Sequence, residues 1–176
     1  RELAGVRAGL RLRTVEHSDN ITCSVEEARA VVEIVSTVVG RTWTDGEPRP
    51  LTSADVMVVA PYNLQVRVVR RELEAAGHGD VRVGTVDRFQ GQEAPVVIAT
   101  MTSSTAADLP RGLDFLLSRN RLNVALSRAQ AVAVLVCSPR LVEADIRTVD
   151  QMRLISGMLG LMSNTTSWPD TNSPKE

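Results

Sequence analysis

Three runs of the chain are apolar almost without interruption: residues 56–60 (VMVVA), 96–101 (VVIATM) and 132–137 (VAVLVC). Runs of this kind belong to strands covered on both faces, since a strand with one wet face alternates. Residues 81–86 (VRVGTV) make a further strand, and 10–15 (LRLRTV) alternate as a half-buried edge strand does. Helical periods fill the spaces between. Ser24 with Glu27 three residues later is the signature of a capping box, and Ala28, Val31, Val32 and Val35 follow at helical spacing, so a helix over 25–39 is predicted, with Gly40 as its stop. A second helix opens with Asn63 as cap, carries Val66, Val69, Leu73 and Ala76, and ends at Gly77. Leu122, Ala125, Leu126 and Ala129 predict a helix over 120–129, residues 139–144 a short one, and 149–162 an amphipathic helix with Met152, Ile155, Leu159 and Met162 on one side. Residues 41–53, with two prolines and a glycine, read as a surface connection, and the polar stretch 163–176 as a disordered tail. Strands alternating with helices predict an α/β layered fold with a mainly parallel sheet over residues 1–162, and such sheets bind ligands at the carboxyl ends of their strands.

Composition narrows this picture in a few respects. The chain has 176 residues, 43% of them apolar, enough for one domain with a real core. The formal net charge of −1 leaves no global footprint for nucleic acid, so any basic surface is local. Of the 20 basic residues all but Lys175 are arginine, so phosphate recognition falls to guanidinium groups or backbone amides. Cys23 and Cys137 belong to no metal-ligand spacing and read as reduced structural thiols, and no metal site is predicted. With no signal peptide and no membrane-length apolar run, a cytoplasmic protein without membrane contact is expected. The start at Arg1 suggests a fragment of a larger protein.

Two stretches carry the candidate chemistry: 84–93 (GTVDRFQGQE) and 121–130 (RLNVALSRAQ). The chain contains no GxxxxGK[ST], HExxH or GxSxG, so a complete hydrolase of a common type is hard to build from it. In the second stretch Arg121 and Arg128, seven residues apart, point the same way from one edge of an apolar helix face. Such guanidiniums need anionic partners: either carboxylates of the same domain, or a polyphosphate reached by an arginine finger. In the first stretch the two glycines let backbone approach a ligand, Thr85 and Asp87 can cap a turn, and Glu93 can accept from sugar hydroxyls. A plain glycine-bearing turn explains the same residues.

The order of APYNLQV (60–66), VGTVDRFQGQE (83–93) and NRLNVALSRAQ (120–130) resembles the second RecA-like domain of superfamily 1 helicases, in the Upf-like 1B branch. The likeness runs over about 24–139, and its nearest group is a bacterial one in which a RecB-like nuclease precedes the helicase. The resemblance implies a RecA-like, P-loop NTPase type of three-layer fold. It implies that Arg128 is the arginine finger reaching the γ phosphate of ATP held mainly by a first RecA-like domain, which also supplies the Mg²⁺ site. Gly91 would approach the triphosphate, Glu93 would contact the ribose, Arg121 would support the site, and Asn123 and Gln90 would help couple nucleotide state to strand position. Pro61, Tyr62, Asn63, Gln65 and Thr85 would lie along single-stranded DNA, or RNA in its place; for Tyr62 a packed aromatic is as good an explanation as base stacking. The branch often has arginine where this chain has Ser103. The expectation is the C-terminal motor domain of an ATP-dependent helicase or translocase, inactive as an isolated fragment. The rival is a RecA-like nucleic-acid-binding or protein-interaction module without turnover, which would have no need of Arg128 and Glu93 together.

Overall fold

The computed structural model describes residues 1–107, 109, 111–117, 123 and 126–168. Its centre is a sheet of six strands in the order β6-β5-β7-β8-β2-β9: β2 (Gly9–Thr14), β5 (Val56–Val59), β6 (Arg82–Gly84), β7 (Ala94–Thr100), β8 (Ala129–Cys137) and β9 (Thr166–Ser167). Every neighbouring pair is parallel. All residues of β5 and β7 are buried, which is why their sequences do not alternate.

Alternate residues of these strands face opposite ways. Val56, Val58, Val96, Ile98, Val132, Val134 and Val136 pack with α1 (Val25–Val38) and α2 (Asn63–Ala75). On the other face Leu12, Ala99, Leu135 and Cys137 meet α3 (Gly112–Leu116) and α4 (Val149–Asn164). Helices on both faces of a parallel sheet make the three-layer RecA-like arrangement that the sequence predicts.

Several expectations are corrected in detail. β2 is an interior strand, because β9 pairs along its outer side. The predicted tail is ordered as far as Trp168: Ser163 and Asn164 finish α4, the Trp168 indole is buried in the α1/α2-side core, and the Trp168 backbone N–H donates to Leu12 O at 2.7 Å. One aromatic side chain outweighs the polar composition around it; residues 169–176 lie outside the described residues. The 41–53 connection contains a hairpin, β3 (Thr42–Asp45) against β4 (Glu47–Pro50), which with β1 (Glu2–Leu3) forms a separate antiparallel sheet. Gly46, at φ 96°, turns that hairpin, and Trp43 anchors it in the core. α4 buries Ile155 and Met158, while Met152 and Leu159 are exposed, so its core side is rotated from the predicted stripe. Of the 120–129 helix, Asn123 and Leu126 are helical and Ala129 already belongs to β8.

Candidate nucleotide and strand interface

Residues 85–93 connect the carboxyl end of β6 to the amino end of β7, and so traverse one face of the sheet. They do it with a short 3₁₀ turn, Val86–Phe89, whose Phe89 ring packs on Met57, Val59 and Val97. The crossing is tight where it begins. A Cβ on Gly84 would stand 2.6 Å from Arg88 Cδ and 3.1 Å from the Phe89 ring. It is open where it ends: Gly91 holds φ 78°, in the left-handed region, with nothing within 4 Å of where a Cβ would be.

This path divides the predicted site residues into two sets. Thr85 belongs to the carboxyl edge of the sheet, whereas Glu93 and Arg128 belong to the amino edge, opposite to the carboxyl ends at which such sheets commonly bind ligands. At the amino edge the backbone N–H of Ala94 donates to Arg128 O at 3.1 Å, and Ala94 pairs with Ala129 in register. The Gln130 amide donates to the Glu93 carboxylate at 3.3 Å, while Arg82 donates to Glu93 O at 3.2 Å. Glu93, Gln90 and Gly91 are exposed. Arg128 is half-buried, and among the described residues its buried Nε has no hydrogen-bond partner. A guanidinium N–H in that state is short of an acceptor. A phosphate is one acceptor that fits it, and the exposed Glu93 carboxylate at the same edge suits a sugar hydroxyl. Arg121 lies outside the described residues. Gln130 and Arg82 are members of this group that the sequence assigns no role; for Gln130 its place at the end of the second stretch is the available signal.

At the carboxyl edge Pro61 and Thr85 line one apolar pocket together with Thr100, Met101 and Phe115. Tyr62 is half-buried, its ring 5.7 Å from that of Phe115, and Arg111 lies 4.8 Å from the Phe115 centroid. Burial pushes the Tyr62 phenol above its ordinary range, opposed by the Ser103 hydroxyl and the Arg111 charge. The structure thus favours packing for this ring. Asn63 is exposed and is the first residue of α2; Tyr62, with no side-chain cap, holds the N-cap position predicted for Asn63. Gln65 is wholly buried, so it lines no surface. Its carbonyl accepts from Ser24 N at 2.7 Å, and its amide donates to Ser24 O at 3.1 Å and to Thr100 Oγ1 at 3.3 Å. Ser103 is buried too, with its hydroxyl donating to Ile21 O at 2.6 Å.

Gln65 also changes the α1 cap. Ser24 Oγ accepts from Glu27 N at 3.1 Å, as the capping box predicts, but the Ser24 N–H that Glu27 would satisfy is taken by Gln65. The Glu27 carboxylate is left to bond elsewhere in the interior. Among the described residues no group of three or more His, Cys, Asp or Glu side chains could hold a metal ion, and no helix is long and apolar enough to cross a membrane.

A family model described as an AAA domain matches residues 9–140. Relatives include an uncharacterised ATP-dependent helicase of Caenorhabditis elegans, 33% identical over 65% of this chain and 7% of that protein. The DNA-binding protein SMUBP-2 of Mesocricetus auratus is 37% identical over 51% of this chain and 9% of its own length. The human RNA helicase Mov10l1 is 33% identical over 54% of this chain and 8% of its own. The chain therefore spans less than a tenth of the length of each of these curated relatives.

Proposed function

This chain belongs to the AAA domain family and is a Upf-like superfamily 1 helicase domain, and from that premise we propose that it is the second, C-terminal motor domain of an ATP-dependent translocase on single-stranded nucleic acid. In this reading its amino edge faces ATP bound mainly by a first RecA-like domain of the same polypeptide, and its carboxyl edge faces the strand. Arg128 is the arginine finger. Its guanidinium meets the γ phosphate when the two domains close, and stabilises charge that develops in phosphoryl transfer. Glu93 accepts from the ribose hydroxyls, and the open backbone at Gly91, beside Gln90, approaches the triphosphate. Arg121 supports the finger. Magnesium belongs to the first domain's site.

The observation that carries the reading is the Arg128 Nε, buried and without a partner among the described residues, at the same edge of the sheet as the exposed Glu93. A guanidinium donor held short of an acceptor is one that a phosphate would satisfy. Cleft closure follows, because the finger gains a charge-assisted contact only in the closed state, and hydrolysis removes it. Residues 85–93 connect the two edges directly, so a shift at Glu93 is passed to Thr85 through one short segment packed on the sheet. Pro61, Asn63 and Thr85 touch the strand backbone, with Tyr62 and Gln65 holding the edge in shape. Backbone contacts make binding tolerant of base sequence and sensitive to salt. DNA and RNA are both within this chemistry. A cytoplasmic location and a RecB-like nuclease fused upstream belong to the same proposal.

The test is ATP hydrolysis by the full-length protein with and without a single strand. Stimulation by the strand is expected, and its absence with both DNA and RNA would refute the motor reading in favour of a binding module.

A further inference from the structure

The carboxyl edge holds a buried polar chain that none of the proposed contacts uses. Glu27 is fully buried in the first turn of α1. One carboxylate oxygen accepts from the Thr100 hydroxyl and, at 2.8 Å, from Thr102 N. The other lies 3.0 Å from His17 Nε2. His17 Nδ1 is in turn 2.7 Å from Ser104 Oγ, which accepts from Asn20 N at 3.0 Å. A neutral His17 satisfies the whole chain: the Ser104 proton reaches Nδ1, and Nε2–H reaches Glu27. Both side chains of the His17–Glu27 pair are wholly inaccessible to solvent.

What the carboxylate grips is unusual. Thr102 has φ 73°, and Ser103 N donates to Met101 O at 2.8 Å, so Thr102 is the centre of a γ-turn. A β-branched residue is rarely found in that conformation, and it persists where its surroundings over-determine it. Here the Glu27–Thr102 bond does so. The turn matters for the edge, because it follows directly on Thr100 and Met101, which share the apolar pocket with Pro61 and Thr85. Gln65, four residues from Pro61, bonds to the same Thr100 hydroxyl.

On the reading that this edge faces the single strand, we propose that Glu27 is its positioning residue: the carboxylate holds the strained turn at Thr102 and, through His17 and Ser104, the 17–21 loop, and so sets Pro61 and Thr85 in register for the strand. Glu27 touches neither strand nor nucleotide. Nor does it lie on the 85–93 crossing, so loosening it weakens strand capture and leaves the phosphate end alone. The Ser103 hydroxyl bonded to Ile21 O closes the same loop from a second point.

The test measures ATP turnover of the full-length protein against oligothymidylate and oligouridylate concentration, for wild type, Glu27→Gln and Ser104→Ala. Gln keeps the volume but turns a donor toward a group that itself donates. Ser104→Ala removes the far end of the chain, leaves Glu27 bonded to Thr100 and Thr102, and decides the matter if Glu27→Gln does not fold. The expected result is a rise of about fivefold or more in the strand concentration giving half-maximal turnover, with the maximal rate and the KM for ATP each within about twofold of wild type. A merely structural role would lower the maximal rate with the fraction folded and leave half-saturation where it was; that outcome overturns the proposal. Wild type unstimulated by either strand overturns the motor reading itself.

Discussion

At the residue scale the site depends on groups whose neighbours leave them unsatisfied or strained. Gly84 begins the crossing in contact with Arg88 and Phe89. Gly84→Ala forces the buried Phe89 ring to move, and a loss of about 1–3 kcal/mol in denaturant stability is expected. Asp55 gives a pH signature remote from the site. It is bonded by Arg49 at 2.6 Å and by Thr52 N at 2.8 Å, and the Arg49 guanidinium holds its carboxyl well below the usual range. A depressed carboxyl contributes stability above its unfolded value, near 4, that is lost as pH falls through the acid range. Asp55→Asn should therefore lower stability at neutral pH by about 1 kcal/mol, the size of a lost cap, and flatten the acid limb of a stability profile. An unchanged limb would show that Asp55 is not among the groups that titrate on unfolding. The residues that carry the site differ in how legible they were. Glu93 and Arg128 could be named because each sits in a motif. Gln65 could be named but not understood, because burial depends on how α1 and α2 meet. The His17–Glu27–Ser104 chain was invisible, since its members come from three segments that only the fold brings together.

At the element scale the pattern of apolar positions predicted most of what is seen. β5, β7 and β8 were legible because strands buried on both faces cannot alternate, and α1 and α2 because their apolar stripes and stop glycines agree, with the Ser24 cap adding to α1. The failures share one cause: weak local signals decided by distant partners. The hairpin β3–β4 is rich in proline and fully exposed along β4, and is held by Trp43, a single core anchor. β9 is two residues long and exists because Trp168 has a place in the core. Trp168→Ala should cost about 3 kcal/mol and leave residues 163–168 without their anchor, raising amide exchange across them and along β2. Exchange confined to residues beyond 168 would contradict that role. The α1 cap is predicted to be worth more than an isolated one. Ser24→Ala removes the acceptor of Glu27 N in the segment that Gln65 clamps, so a loss at or above the upper end of about 0.5–2 kcal/mol is expected in thermal melts.

At the scale of the whole molecule, the domain presents two working edges of one parallel sheet, and residues 85–93 run between them. Glu93 and Arg128 stand together at the amino edge, Pro61 and Thr85 at the carboxyl edge. This separation gives the motor reading its mechanical content, since on that reading nucleotide and strand would act at opposite ends of one packed layer. On the proposed reading the chain by itself should be inert, because the phosphate-binding loop would belong to another domain and the finger would have nothing to act on. The isolated chain should show no ATP turnover above background with or without a strand, and an Arg128-dependent turnover in it would break the two-domain account. The most direct measurement uses the full-length protein and separates nucleotide binding from chemistry. In Arg128→Ala the affinity for ATP should stay within about tenfold of wild type, while single-turnover hydrolysis in the presence of a single strand falls by roughly 10³-fold or more, as removal of an arginine finger does. Hydrolysis at the wild-type rate in Arg128→Ala would contradict the account.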